Sequence, residues 1–115
     1  MLEIGAATLV EQLELSATNQ LQALFEAALQ AADECICTAA PEWLGHCKLM
    51  MDTGDQVCYV SRTEANGHNS WRNAPKPLVA ATKAEITIYI AVYGIDDRHA
   101  QLAAQAAQTM LKQLM

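Results

Sequence analysis

Glu85-Ile86-Thr87-Ile88-Tyr89-Ile90-Ala91-Val92-Tyr93 decides the fold. Strict alternation sets Ile86, Ile88, Ile90 and Val92 on one side and Thr87, Tyr89, Ala91 and Tyr93 on the other, the period of a half-buried strand. A strand with one apolar face needs a layer to cover that face. The residues after it supply one. Gly94 breaks the strand, Asp96 or Asp97 is placed to cap a helix, and Ala103, Ala106, Ala107, Met110, Leu111 and Leu114 form the helix's apolar stripe.

Working upstream, Glu64 to Pro77 is a polar run of fourteen residues, read as a mobile loop, and Leu78 to Ala84 as one short helical turn. Leu44 to Met51 and Gln56 to Thr63 read as strands, joined into a hairpin by Asp52-Thr53-Gly54-Asp55. At the start, Thr8-Leu9-Val10-Glu11 has the form of a capping box. After it, Val10, Leu13, Ala17, Leu21, Leu24, Ala28 and Ala31 recur at steps of three and four. This spacing predicts a helix over 9–34, or two shorter ones if Ser16 caps a second, and Pro41 closes the segment. The expected order is α-β-β-β-α. It makes one α+β domain over residues 1–115, with a three-stranded, mostly antiparallel sheet and two helices packed on one face. Nothing in that count covers the other face, so Tyr89 and Tyr93 are expected on an open surface that invites a partner.

With 115 residues, 52% hydrophobic and 17% charged, the chain can build one core and is not disordered in composition. Thirteen acidic residues against seven basic give a net charge of −6, which argues against nucleic acid as a partner. Residues 1–47 hold Glu3, Glu11, Glu14, Glu26, Asp33, Glu34 and Glu42 and no Lys or Arg. That imbalance reads as a solvated helix face or as a surface offered to a protein partner with a basic surface. There is no positively charged leader and no apolar run long enough for a membrane helix, so a cytoplasmic protein with no membrane contact is expected. Its four cysteines are then expected as free thiols.

Three groups of residues could carry chemistry. Cys35-Ile36-Cys37 with His46-Cys47 offers soft-metal ligands, but lacks the paired spacing of structural zinc sites, and packing is the favoured role. The metal alternative is a zinc or copper carrier using Cys35, Cys37, His46 and Cys47. His46 and Lys48 alternate onto one strand face, where an imidazole beside an ammonium could serve a small-molecule site or an unusual enzyme. Arg62, Trp71 and Arg72 in and beside the long loop are the residue types of protein contacts, and Trp71 is expected to face a partner. His99 is read as a surface residue. No phosphate-cradling glycine loop, G-x-S-x-G or H-E-x-x-H occurs, which disfavours the common motif enzymes.

Pro41-Glu42-Trp43-Leu44-Gly45-His46-Cys47-Lys48, Ser61-Arg62-Thr63 and the strand Ile86–Val92 together resemble the small C-terminal domain of CobW-type GTPases. The likeness covers residues 41–113. It implies an accessory domain in metal-cofactor handling. The family's GTPase domain is missing, and Cys35-Ile36-Cys37-Thr38 lacks the last cysteine of its C-x-C-C motif. Taken together, the residues predict a non-catalytic domain without a cofactor, which homo-oligomerises or docks on a protein partner through its open sheet face. His46, Lys48, Tyr89, Tyr93, Arg62, Trp71 and Arg72 are the expected contacts.

Overall fold

The computed structural model describes residues 3–114. Its elements are β1 (Ile4–Leu15), α1 (Leu21–Cys37), β2 (Leu44–Asp52), β3 (Val57–Glu64), β4 (Ser70–Arg72), β5 (Thr82–Tyr93) and α2 (Asp97–Leu114). The α+β class and the two helices stand. The three-stranded sheet and the α-β-β-β-α order do not: the sheet has five strands, all antiparallel, in the order β1-β5-β2-β3-β4.

The largest departure lies at the start of the chain. The predicted helix over 9–34 is a strand followed by a helix. Val10, Leu13 and Ala17 do fall at helical steps, but Ala7, Leu9, Leu13 and Leu15 also fall at strand steps. The only polar member of that strand series is Glu11, and its carboxylate meets Lys112 Nζ at 2.7 Å and accepts a bond from Gln108, both on α2. Thr8-Leu9-Val10-Glu11 is therefore mid-strand, where β-branched Thr8 and Val10 pack well. The break falls at Thr18. Its hydroxyl accepts from Gln20 N–H at 2.9 Å, and its backbone exchanges both bonds with Leu78 at 2.9 and 2.8 Å. That bridge occupies the place where a helical turn was expected over 78–84.

β5 is the central strand. It pairs Thr8 with Tyr89 on one side and Lys48 with Tyr89 on the other, so β1 and β2 run parallel with β5 between them. β2 and β3 form the expected hairpin, in which Asp52 Oδ1 accepts from Gly54 N–H at 2.8 Å. Gly45 sits where the β2–β3 register slips, and a Cβ there would strike the carbonyl of Ala91. Only glycine allows β2 to approach β5 so closely at that point.

Both helices lie on one face of the sheet. Ile86, Ile88, Ile90, Val92, Cys47, Leu49, Met51, Cys58 and Val60 point into the layer between sheet and helices, against Phe25, Leu29, Ile36, Ala100 and Leu111. Each large side chain buried there contributes about 1.5–3 kcal/mol. Ala28 and Ala32 on α1 and Ala103, Ala104 and Ala107 on α2 are fully buried, and small residues of this kind let two helices pack closely. Asp96 starts α2, accepting from His99 N–H at 2.7 Å. No described helix is long and apolar enough to cross a membrane.

Candidate functional site

The polar residues gather in two places, one on each face of the sheet. Under the helices lies a buried knot around Asp33, whose side chain is wholly enclosed. Asp33 Oδ2 accepts from Arg62 at 2.6 Å and from Asn66 N–H at 2.9 Å. Its Oδ1 accepts from Trp43 Nε1 at 2.8 Å and from Cys37 Sγ at 3.2 Å. Arg62 also donates to Gln30 at 2.7 Å and to Asn69 at 2.8 and 3.2 Å. Burial would raise the Asp33 carboxyl, but the bonds from Arg62, Trp43, Cys37 and Asn66 outweigh it and hold the group below its ordinary value. Among the described residues no buried side-chain nitrogen or oxygen lacks a partner. Such a knot ties α1, the 38–43 connection, β3 and the 65–69 turn into one piece. The Asp33 carboxylate, accepting four bonds, has no lone pair left over for a ligand.

The second place is the open face. His46 and Lys48 of β2, Tyr59 and Ser61 of β3, Ser70 and Arg72 of β4 and Tyr89 and Tyr93 of β5 alternate away from the helices. Cross-strand register puts Tyr89 beside Lys48, Lys48 beside Ser61 and Ser61 beside Ser70, while Arg72 faces Tyr59. Lys48 Nζ lies 4.9 Å from the centre of the Tyr59 ring, and the Arg72 guanidinium 5.9 Å from it. Two cations thus share one aromatic ring. The ion pairs of the described residues are Arg62–Asp33 and Lys112–Glu11, so neither Lys48 nor Arg72 has a carboxylate partner there. At the end of this face Tyr93, 49% exposed, borders a shallow cleft with Pro41, Glu42 and Leu44.

The sequence-predicted residues divide between these places. His46, Lys48, Tyr89, Tyr93 and Arg72 share the open face. Arg62 is 5% exposed and belongs to the knot. Trp71 points to the helix side, stacked on Phe25 with ring centres 6.3 Å apart and donating to Glu26 at 2.8 Å. It pins β4 to α1, which corrects the expectation of a mobile loop with Trp71 turned outward. His99 is more than a surface residue, for its Nε2 lies 3.0 Å from the Cys35 carbonyl and 3.1 Å from Thr38 Oγ1 and ties α2 to the end of α1.

The cysteine group is not brought together. Cys47 is buried on the helix side while His46, one residue earlier, faces the open side, and no three His, Cys, Asp or Glu side chains converge among the described residues. Burial pushes the Cys47 thiol up to about 12 and raises those of Cys35, Cys37 and Cys58; Cys37 is raised further by donating to Asp33. Nor do the acids of residues 1–47 gather on one surface. Asp33 is buried, Glu11 is held by α2, Glu26 holds Trp71, and Glu34 accepts from Gln30 at 3.2 Å.

Sequence reasoning missed the roles of Asp33 and Trp43. One signal was available: Asp33 and Cys37 are four apart on a helix whose neighbours on that side are apolar. Comparison with protein-family models, with curated proteins and with solved structures finds no match. The likeness to CobW-type C-terminal domains rests on the residues quoted for it alone.

Proposed function

We propose that this chain is a non-catalytic interaction domain whose open sheet face receives an acidic segment of a protein partner. The observation that carries it is the pair of cations, Lys48 and Arg72, set over Tyr59 without a carboxylate, on the uncovered face of an otherwise acidic chain. Carboxylates of a partner would complete them, and Tyr59, Tyr89 and Met50 would supply apolar contact around the charge. The buried knot, by contrast, is saturated and serves the fold.

Amide chemical shifts recorded while a peptide of alternating glutamate and leucine is added test the reading. The expected shifts cluster at His46, Lys48, Ser61 and Tyr89, vanish in the double variant Lys48→Glu with Arg72→Glu, and weaken with added salt. A lysine–leucine peptide that shifts the same amides equally well would overturn it. So would binding that survives the double substitution.

A further inference from the structure

We infer that a second copy of this chain pairs with the free edge of β1, antiparallel, about a two-fold axis at Val10. This concerns an edge of the sheet and stands apart from the face proposed above.

The hydrogen-bond phase of β1 can be read directly. Gly94 N–H donates to the Glu3 carbonyl at 2.7 Å, continuing the Ile4–Tyr93 register by one residue. In an antiparallel ladder bonding alternates, so odd-numbered residues of β1 bond to β5 and even-numbered ones turn N–H and C=O outward. Ala6 gives an independent check. Its N–H is even-numbered and is met from outside by Asp97 Oδ1 at 2.9 Å. Beyond that cap, Thr8, Val10 and Gln12 have no backbone partner on the outer side among the described residues.

Sheet edges are normally guarded by lysine, proline, a bulge or brevity. The other edge is guarded: β4 is three residues long and runs into Asn73, with φ of +57°, and Pro75. β1 has twelve residues, no Lys, Arg or Pro, an unbroken register with β5, and Val10 59% exposed; its charges are Glu14 near one end and Glu11, which points inward and is met by Lys112. Since β4 is too short to be the complement of β1, a copy that pairs with β1 does so through its own β1, which gives a closed, symmetric contact.

The side chains fix the register. Centred on Val10, the pairing sets Val10 against Val10 of the second copy and Thr8 against Gln12, with the two Glu14 side chains at opposite ends. Centring on Thr8 runs into the Asp97 caps at Ala6. Centring on Gln12 sets Val10 against a carboxylate, and centring on Glu14 sets like charges together. Only the Val10 register sets Val10, the most exposed large apolar side chain of β1, against its own copy, with the ladder ending at the Thr8–Gln12 pairs before the Asp97 cap at Ala6.

Light scattering on size-separated protein is expected to give twice the 12.5 kDa chain mass at micromolar concentration. Val10→Lys, which opposes two ammonium groups at the axis, and Val10→Pro, which removes an outward donor on an edge where proline is tolerated, should each return the single-chain mass with unchanged circular dichroism. Val10→Cys should form a disulfide-linked dimer under mild oxidant, because hydrogen-bonded antiparallel pairs have Cα atoms about 5.5 Å apart, within disulfide reach. Lys48→Glu with Arg72→Glu should leave the dimer intact. A single-chain mass for the unaltered protein overturns the inference, as does a dimer that persists in the folded Val10→Lys protein. If either Val10 variant fails to fold, a Val10→Cys protein that does not cross-link to itself decides against it.

Discussion

Arg62 and Arg72 stand on neighbouring strands with opposite surroundings. Arg62 lies beneath α1 and has every nitrogen engaged, by Asp33, Gln30 and Asn69. Arg72 lies on the open face and has one half share of an aromatic ring. A five-stranded sheet with helices on one side separates polar groups by what they can still do. Those on the covered side must be satisfied internally or the fold fails, whereas those on the open side can stay unsatisfied by protein because water serves them until a partner arrives.

The comparison can be broken most forcefully at Asp33. Asp33→Ala leaves the Arg62 guanidinium buried without its counter-charge, and a loss of about 3–5 kcal/mol is expected in urea unfolding. Replacing both residues together by apolar side chains should cost less than the single change, because no charge is then stranded. A loss below about 1 kcal/mol for Asp33→Ala would mean that the knot is wet.

Trp71→Ala comes next. It removes a half-buried ring, its stack on Phe25 and the bond to Glu26, for an expected loss of about 2–3 kcal/mol, somewhat under that of a fully buried tryptophan. An unchanged melting temperature would return Trp71 to the open side of the comparison.

Acid should act through the same knot. The Asp33 carboxyl is held below its ordinary value in the folded protein, so its contribution is complete above the unfolded carboxylate range and is lost as pH falls through the folded value. Unfolding followed against pH should show a loss on the acid side that Asp33→Asn flattens. The smallest effect is expected on the open face. Lys48→Ala and Arg72→Ala should each change stability by no more than about 0.5 kcal/mol, and a larger loss would show that the cations already have work in the free domain.

How much of this was legible depended on whether the deciding partner was near in sequence. β5 and the β2–β3 hairpin were readable because alternation and turn residues carry them locally. β1 was not, because Glu11 breaks its apolar alternation and the groups that explain Glu11, Lys112 and Gln108, lie on the last helix. Three residues of β4 leave no period to read, so Trp71 looked like a loop residue. The open-face group was visible as alternation at His46 and Lys48 and at Tyr89 and Tyr93. The knot was invisible as a unit, since Asp33, Trp43, Arg62 and Asn66 meet only once the hairpin has folded back onto α1. Residue type alone therefore puts Arg62 at the surface.

The place of β5 between β1 and β2 has a consequence for the order in which the molecule assembles. Among the described residues β1 pairs with β5 alone, and β5 is the last of the five strands. Nearly all of β1's sheet contacts therefore wait for a segment that begins at Thr82, and closing so long a loop makes a slow search compared with helix formation or a hairpin. On a ribosome the first strand stays without a neighbour until residues 82–93 have emerged. A fragment that stops short of Thr82 keeps the β2–β3 hairpin but leaves both it and β1 without the strand that joins them.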